Sequence, residues 1–166
     1  MANIFDVADY ILTYLGGDIT TMKLQKLCYY SQAVHLAKHS TWKEGIALFN
    51  ENFEKWDQGP VCPDLFHCHK GMFYINLVSL DINDKLSGEK PFNEEERLSI
   101  EEMLEKYGAY TGVELSETTH KEEPWKKTPK NMIIEKKDIW EWAKKTYKNG
   151  EKRVKRKLRL RRLIGL

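Results

Sequence analysis

The sequence predicts a mainly α fold with a small antiparallel β element (α+β), a compact single helical domain built around one central buried helix. Three observations carry this prediction. The first is the stretch 22–37, Met-Lys-Leu-Gln-Lys-Leu-Cys-Tyr-Tyr-Ser-Gln-Ala-Val-His-Leu-Ala, which contains no Gly or Pro and only two charges, Lys23 and Lys26. Leu24, Leu27, Cys28, Ser31 and Val34 recur there at helical spacing, and Tyr30, Ala33, Val34 and Ala37 form an adjacent stripe. A helix apolar over most of its circumference is normally enclosed by several partners rather than laid on a surface. The second observation is a pair of further stretches, 3–15 and 93–107, that each combine a capping residue with apolar residues at helical period. The third is a cluster of strand-like pieces at 46–56.

In chain order, residues 3–15 form an amphipathic helix. Asn3 or Asp6 can cap it, Ile4, Val7, Ala8, Ile11, Leu12 and Leu15 keep its period, and Gly16-Gly17 ends it. Thr20 and Thr21 offer N-cap hydroxyls to the central helix, about 18 residues long by the usual helix rise. Lys38 and His39 suit the C-terminal end of its dipole. The first two helices should pack as an αα-hairpin. Ile46 and Leu48, then Phe53 and Lys55-Trp56, read as two strands of a short antiparallel hairpin that Gln58-Gly59-Pro60 closes. Pro63 opens a short helix at 64–70, with Gly71 as its stop. Residues 73–82 read as extended, without a clear period, and 83–91 as loop. Asn93 caps a helix whose first turn is Glu94-Glu95-Glu96, which its dipole favours. A shorter helix covers 111–119, a turn at 120–125 places Trp125, 126–131 is a polar loop, and a last helix covers 134–147 with Ile139, Trp140, Ala143 and Tyr147 as its apolar face.

The 166 residues are enough for one domain with a real core, and the balance of 41% hydrophobic and 31% charged residues is that of an ordinary globular chain. No apolar run approaches the roughly 20 residues needed to span a bilayer, and the first residues lack the pattern of a signal peptide. Cys28, Cys62 and Cys68 are sparse and odd in number, as expected of reduced thiols in a cytoplasmic protein. The net charge of +2 hides an asymmetry: residues 151–166 hold eight Lys/Arg and one Glu, a net +7, so the preceding 150 residues total −5. The expected organisation is a globular domain at 1–149 and a basic tail at 150–166. The tail contains Val154, Leu158, Leu160, Leu163, Ile164 and Leu166, too apolar for a simple solvated run. It can be an arm for nucleic acid through residues 152–162, a strand, an amphipathic segment for a partner, or a helix that folds back on the acidic body.

Catalytic and metal chemistry find little support in these residues. His67-Cys68-His69 with Cys62 is the one metal-like cluster, and adjacent residues of a helix point in different directions, so they cannot converge on one ion. His120 lies near Thr118, Thr119 and Glu122, but no nucleophile, oxyanion donor or second carboxylate stands at a recognisable spacing. Its structural reading is a cap for the 111–119 helix beside a buried Trp125. No catalytic residue, metal or cofactor is therefore expected. Lys23 and Lys26 either snorkel to solvent or, as favoured for Lys26, pair with a carboxylate such as Asp57 or Glu54.

Three segments, taken together, carry a resemblance: Lys23-Leu-Gln-Lys-Leu-Cys-Tyr-Tyr30, Phe53-Glu-Lys-Trp-Asp-Gln-Gly-Pro-Val-Cys-Pro-Asp-Leu65 and Leu115-Ser-Glu-Thr-Thr-His-Lys-Glu-Glu-Pro-Trp125. In order and spacing they resemble the Panacea domain, the antitoxin family that includes SocA-like adaptors and phage-associated GepA-like proteins. The resemblance runs from about Ile4 to about Tyr147. It implies a mostly helical, non-enzymatic cytoplasmic protein that binds a cognate toxin encoded beside it. In the adaptor branch it also implies delivery of the toxin to a ClpXP-type protease. Cys28 stands where relatives tend to carry an aliphatic residue, and the basic tail looks like an addition. Partner contact on this reading falls to Lys23, Lys26, Trp56, Asp57, Gly59, Pro60, His120 and Trp125 in the body. In the tail it falls to Arg153, Lys155, Arg156, Arg159, Arg161 and Arg162. The alternative is a nucleic-acid-binding regulator acting through that tail.

Overall fold

The computed structural model describes residues 2–147, 156 and 159–165. The helices are α1 (Ile4–Leu15), α2 (Thr21–Leu36), α3 (Pro63–His69), α4 (Glu94–Tyr107), α5 (Gly112–His120), α6 (Glu123–Lys127) and α7 (Lys136–Thr146). The strands are β1 (Ile19–Thr20), β2 (Phe53–Trp56), β3 (Gly59–Val61), β4 (Tyr74–Ile75) and β5 (Ile133–Ile134). They form two small antiparallel sheets, β1-β4 and β3-β2-β5. The result is mainly α with a small β element.

Helix α2 is the centre. Every residue from Leu24 to Leu36 is buried, and α1, α3, α4, α5, α7 and β3 all pack against it. Its buried Gln25, Lys26, Gln32 and His35 each bond a neighbouring segment. Gln25 takes the Cys62 backbone N–H on its oxygen (2.9 Å), and its amide nitrogen lies 3.3 Å from the Cys62 carbonyl. Gln32 accepts from the Leu48 N–H (2.8 Å) and donates to the Phe49 carbonyl (2.9 Å). His35 Nδ1 lies 2.9 Å from Ser99 Oγ on α4. Burial first, with His39 and Lys38 adding to it, holds the His35 pKa down at about 3, so the ring is neutral in the folded protein. A buried polar group costs little only when it is bonded, so these contacts also fix which loop meets which turn of α2.

The helix ends follow the capping residues. Asn3 with Asp6, Asn93 with Glu96 and Thr111 with Glu114 form reciprocal capping boxes, and the Thr20 hydroxyl caps α2 at the Lys23 N–H. Asp6 does more than cap, since its carboxylate also takes the Ser87 N–H and hydroxyl and ties down the loop before α4.

Four expectations are corrected. Residues 46–48 are not a strand. The Gln32 side chain takes the Leu48 N–H and donates to the Phe49 carbonyl, and the hairpin partner of β2 is β3, the Gly59–Val61 segment expected to be only its closing turn. Extended structure within 73–82 is confined to Tyr74–Ile75, because the Asn76 side chain accepts from the Val78 and Ser79 N–H groups and turns the chain. Ile133–Ile134 is a strand rather than a helix start, with Ile134 opposite Phe53. The turn around Trp125 contains the short helix α6, with Pro124 in its first turn.

Candidate functional site

The three segments quoted above meet in space, and Lys26 lies where they meet. Its side chain is enclosed between α2, β3 and α5, and the residue is 1% exposed. Nζ donates to the Pro60 carbonyl at 3.2 Å. Burial pulls its pKa down to about 7. The expected carboxylate partner is not there. Asp57 sits on the exposed tip of the β2–β3 turn, with Oδ1 3.1 Å from Lys130 Nζ, and Glu54 accepts the Trp56 indole N–H at 2.8 Å. A backbone carbonyl of the returning strand, that of Pro60, meets the amine instead.

Gly59 is the residue that lets this strand approach. Its φ is +106°, and a Cβ there would come within 2.6 Å of both Lys26 Cε and Thr119 Oγ1. Both the backbone angle and the space therefore require glycine. Helix α5 closes the arrangement from the other side: Ser116 Oγ donates to the Gln58 carbonyl and Thr119 Oγ1 to the Ser116 carbonyl, each at 2.7 Å. At the far end of α5, a Cβ on Gly112 would meet Thr20 Oγ1 at 2.6 Å and the Lys23 backbone nitrogen at 3.0 Å. Lys23 itself is only half-buried and donates to the Gly108 carbonyl at 2.7 Å, the surface-reaching alternative for this residue.

An aromatic layer lies beside this junction. Trp125 Nε1 donates to the Trp56 carbonyl at 3.1 Å, the Trp125 ring lies 4.3 Å from the His120 ring, and the Lys55 ammonium sits 4.2 Å over it. His120 does not cap α5, whose last carbonyls take the Lys121 N–H instead. Its ring faces Trp125. Trp56 completes the layer against Phe66 at 4.9 Å. Next to it, Tyr30 OH donates to Glu122, Tyr30 stacks on Tyr107 at 4.1 Å, and the Tyr107 and Tyr147 hydroxyls are 2.7 Å apart. Burial raises the Glu122 pKa to about 7 against the opposing effects of the Tyr30 hydrogen bond and Lys106.

These groups link separate elements of the fold. The histidines and cysteines diverge: His67 is exposed, and the half-buried Cys68 donates to the Asp64 carbonyl at 3.6 Å. His69, rather than Cys68, is the buried member, with Nε2 3.0 Å from Gln25 Nε2. Among the described residues no group of three or more His, Cys, Asp or Glu is placed to hold a metal ion, and no helix is long and apolar enough to cross a membrane.

The tail residues separate. Arg153 and Lys155 lie outside the described residues, as do Val154, Leu158, Leu166 and the Asn149-Gly150 boundary. Residues 159–163 are helical, and Arg156, Arg159 and Arg162 are exposed. Among the described tail residues, Arg161 turns to the body, with NH2 2.7 Å from Glu101 Oε2 on α4. The sequence reading missed Glu101 entirely, and one carboxylate among the many on α4 gives no signal for it. It also missed Ser116 and Thr119, although their spacing of three within the third segment marked a polar face of α5.

A family model described as antitoxin SocA-like, Panacea domain, matches residues 24–126, more than half of the chain. No curated protein and no solved structure matches.

Proposed function

Because the chain belongs to the SocA-like Panacea-domain antitoxin family, we propose that it neutralises a toxin protein encoded beside it by binding that toxin directly, without chemistry of its own. The family match is the observation that carries this reading, since residues 24–126 take in the segments that meet around Lys26. The junction is built as a scaffold. Lys26, Ser116 and Gln25 spend polar atoms on backbone groups of other segments, which fixes the surface that those segments present. A fixed surface loses less entropy on association, which is what a neutralising complex needs. Delivery of the bound toxin to a ClpXP-type protease, or a chaperone role toward it, belongs to the same reading as a later step, because either acts on a complex already formed.

Co-expression tests the proposal. The product of the neighbouring reading frame, expressed alone, should arrest growth, and this chain should relieve the arrest and co-purify with that product. A neighbouring product that is harmless, or that arrests growth whether or not this chain is present, contradicts the reading. Salt dependence separates it from a nucleic-acid regulator, because phosphate contacts lose affinity steeply with salt and an apolar protein interface does not.

A further inference from the structure

The C-terminal helix meets the body at a built contact. Glu101 on α4 uses both of its oxygens there. Oε1 accepts from the Tyr10 hydroxyl of α1 at 2.9 Å and from Arg97 NH1 at 3.2 Å, and Oε2 accepts from Arg161 NH2 at 2.7 Å. The Glu101 side chain is only 18% exposed and that of Arg161 25%. Charge-assisted bonds of this kind fix orientation as well as distance. The apolar residues of the helix are left exposed. The Ile164 N–H donates to the Leu160 carbonyl at 3.1 Å, so the helical bonding runs to Ile164. At the usual turn of a helix, Leu160, Leu163 and Ile164 fall within an arc of about 100°. That arc is bare, with the three residues 49%, 73% and 66% exposed. Arg156, Arg159 and Arg162 stand exposed around it.

We infer that this helix is a toxin-contacting element, clasped to the body by Arg161 at Glu101, and that its partner surface is an apolar groove with a carboxylate rim. The inference rests on the antitoxin reading and adds to it where the toxin binds. Three features support a protein groove over other partners. A short helix with an apolar stripe is marginal in water by itself and gains from a groove that covers the stripe. Arginine, which supplies the exposed cations among the described tail residues, matches carboxylates with two parallel bonds. The segment at 151–166 has a net charge of +7, and charge of that size speeds the encounter with an acidic surface. Phosphate contact would use the cations but leave the stripe uncovered, and three apolar residues are a small area for insertion into a membrane surface.

The test uses the full chain and the toxin from the neighbouring reading frame, with affinity measured by calorimetry. A Leu163→Asp/Ile164→Asp chain should melt as the wild type does and bind the toxin about tenfold or more weaker, the loss expected when central interface contacts are removed. Glu101→Arg should weaken binding as well, and Glu101→Arg/Arg161→Glu should restore much of it, because the swapped pair rebuilds the clasp. A Leu163→Asp/Ile164→Asp chain that binds the toxin within twofold of the wild type overturns the inference and leaves the antitoxin reading standing. The same result is drawn if that variant loses affinity only for a short random-sequence DNA duplex or for anionic phospholipid vesicles. A wild-type chain that fails to bind the toxin removes both the inference and the antitoxin reading.

Discussion

Two basic features of this chain are treated in opposite ways. Lys26 is drawn into the centre of the molecule and loses its water, and burial pulls its pKa down to about 7. Arg161 stays near the surface, keeps a carboxylate beside it, and joins a separate segment to the body. A lysine can be accommodated inside because it can shed its proton, whereas arginine remains charged and needs a partner. At Lys26 burial weakens the hold on the proton, whereas at Arg161 the charge persists and is met by a carboxylate. The Lys26 junction should therefore govern stability and the tail should govern association.

The largest expected effect lies at the junction. Gly59→Val forces a β-branched residue into φ +106° and against Lys26 and Thr119. Backbone strain and overpacking together should cost about 3 kcal/mol or more, read by urea unfolding. A loss below about half a kcal/mol, the range of surface changes, would show that β3 does not approach α2 in the way described. Leu27→Ala, next to Lys26 on α2 and fully buried, should cost about 2–5 kcal/mol in the same measurement.

The pH dependence is a smaller effect and has a definite sign. The Lys26 pKa is lowered from 10.5 to about 7, so between those values the unfolded chain binds more protons and stability should rise with pH. The Glu122 pKa is raised from 4.5 to about 7, so between those values the folded chain binds more protons and stability should fall as pH rises. Together the two groups place a dip near neutrality. Melts from pH 4.5 to 10 should show Lys26→Met flattening the alkaline limb and Glu122→Gln flattening the acid limb. Unchanged limbs in both variants would mean that neither group titrates with the shift described.

Much of this division was legible in the residues, though unevenly. The central helix, its Thr20 cap and the helices beginning after Asn3 and Asn93 followed from spacing and capping chemistry, which act within a few residues. The sheet partners did not. Pairing β2 with β5 joins Phe53 to Ile134 across 80 residues of chain, and nothing local in Ile133–Ile134 marks it as a strand. Residues 46–48 misled because they are apolar, while the Leu48 N–H and the following Phe49 carbonyl bond the Gln32 side chain rather than a strand. Lys26 stood out as a charge among apolar neighbours, but whether a carboxylate or a carbonyl met it depended on which way the β2–β3 turn points. Glu101 was invisible for the same reason. Its importance comes from Tyr10, Arg97 and Arg161 arriving from other parts of the chain.

The smallest expected stability effect is at the tail. Arg161→Ala removes an ion pair near the surface and should cost at most about 1 kcal/mol. A chain ending at Gly150 should likewise melt close to the full chain, if the domain is complete before that point. That truncation, measured by a thermal melt beside growth rescue from the neighbouring toxin, tests the division of labour most directly. A melting temperature nearly unchanged is expected, with rescue lost or strongly reduced through both slower association and the missing Leu163 and Ile164 contacts. A truncated chain that melts far lower, or one that melts normally and rescues fully, would contradict it.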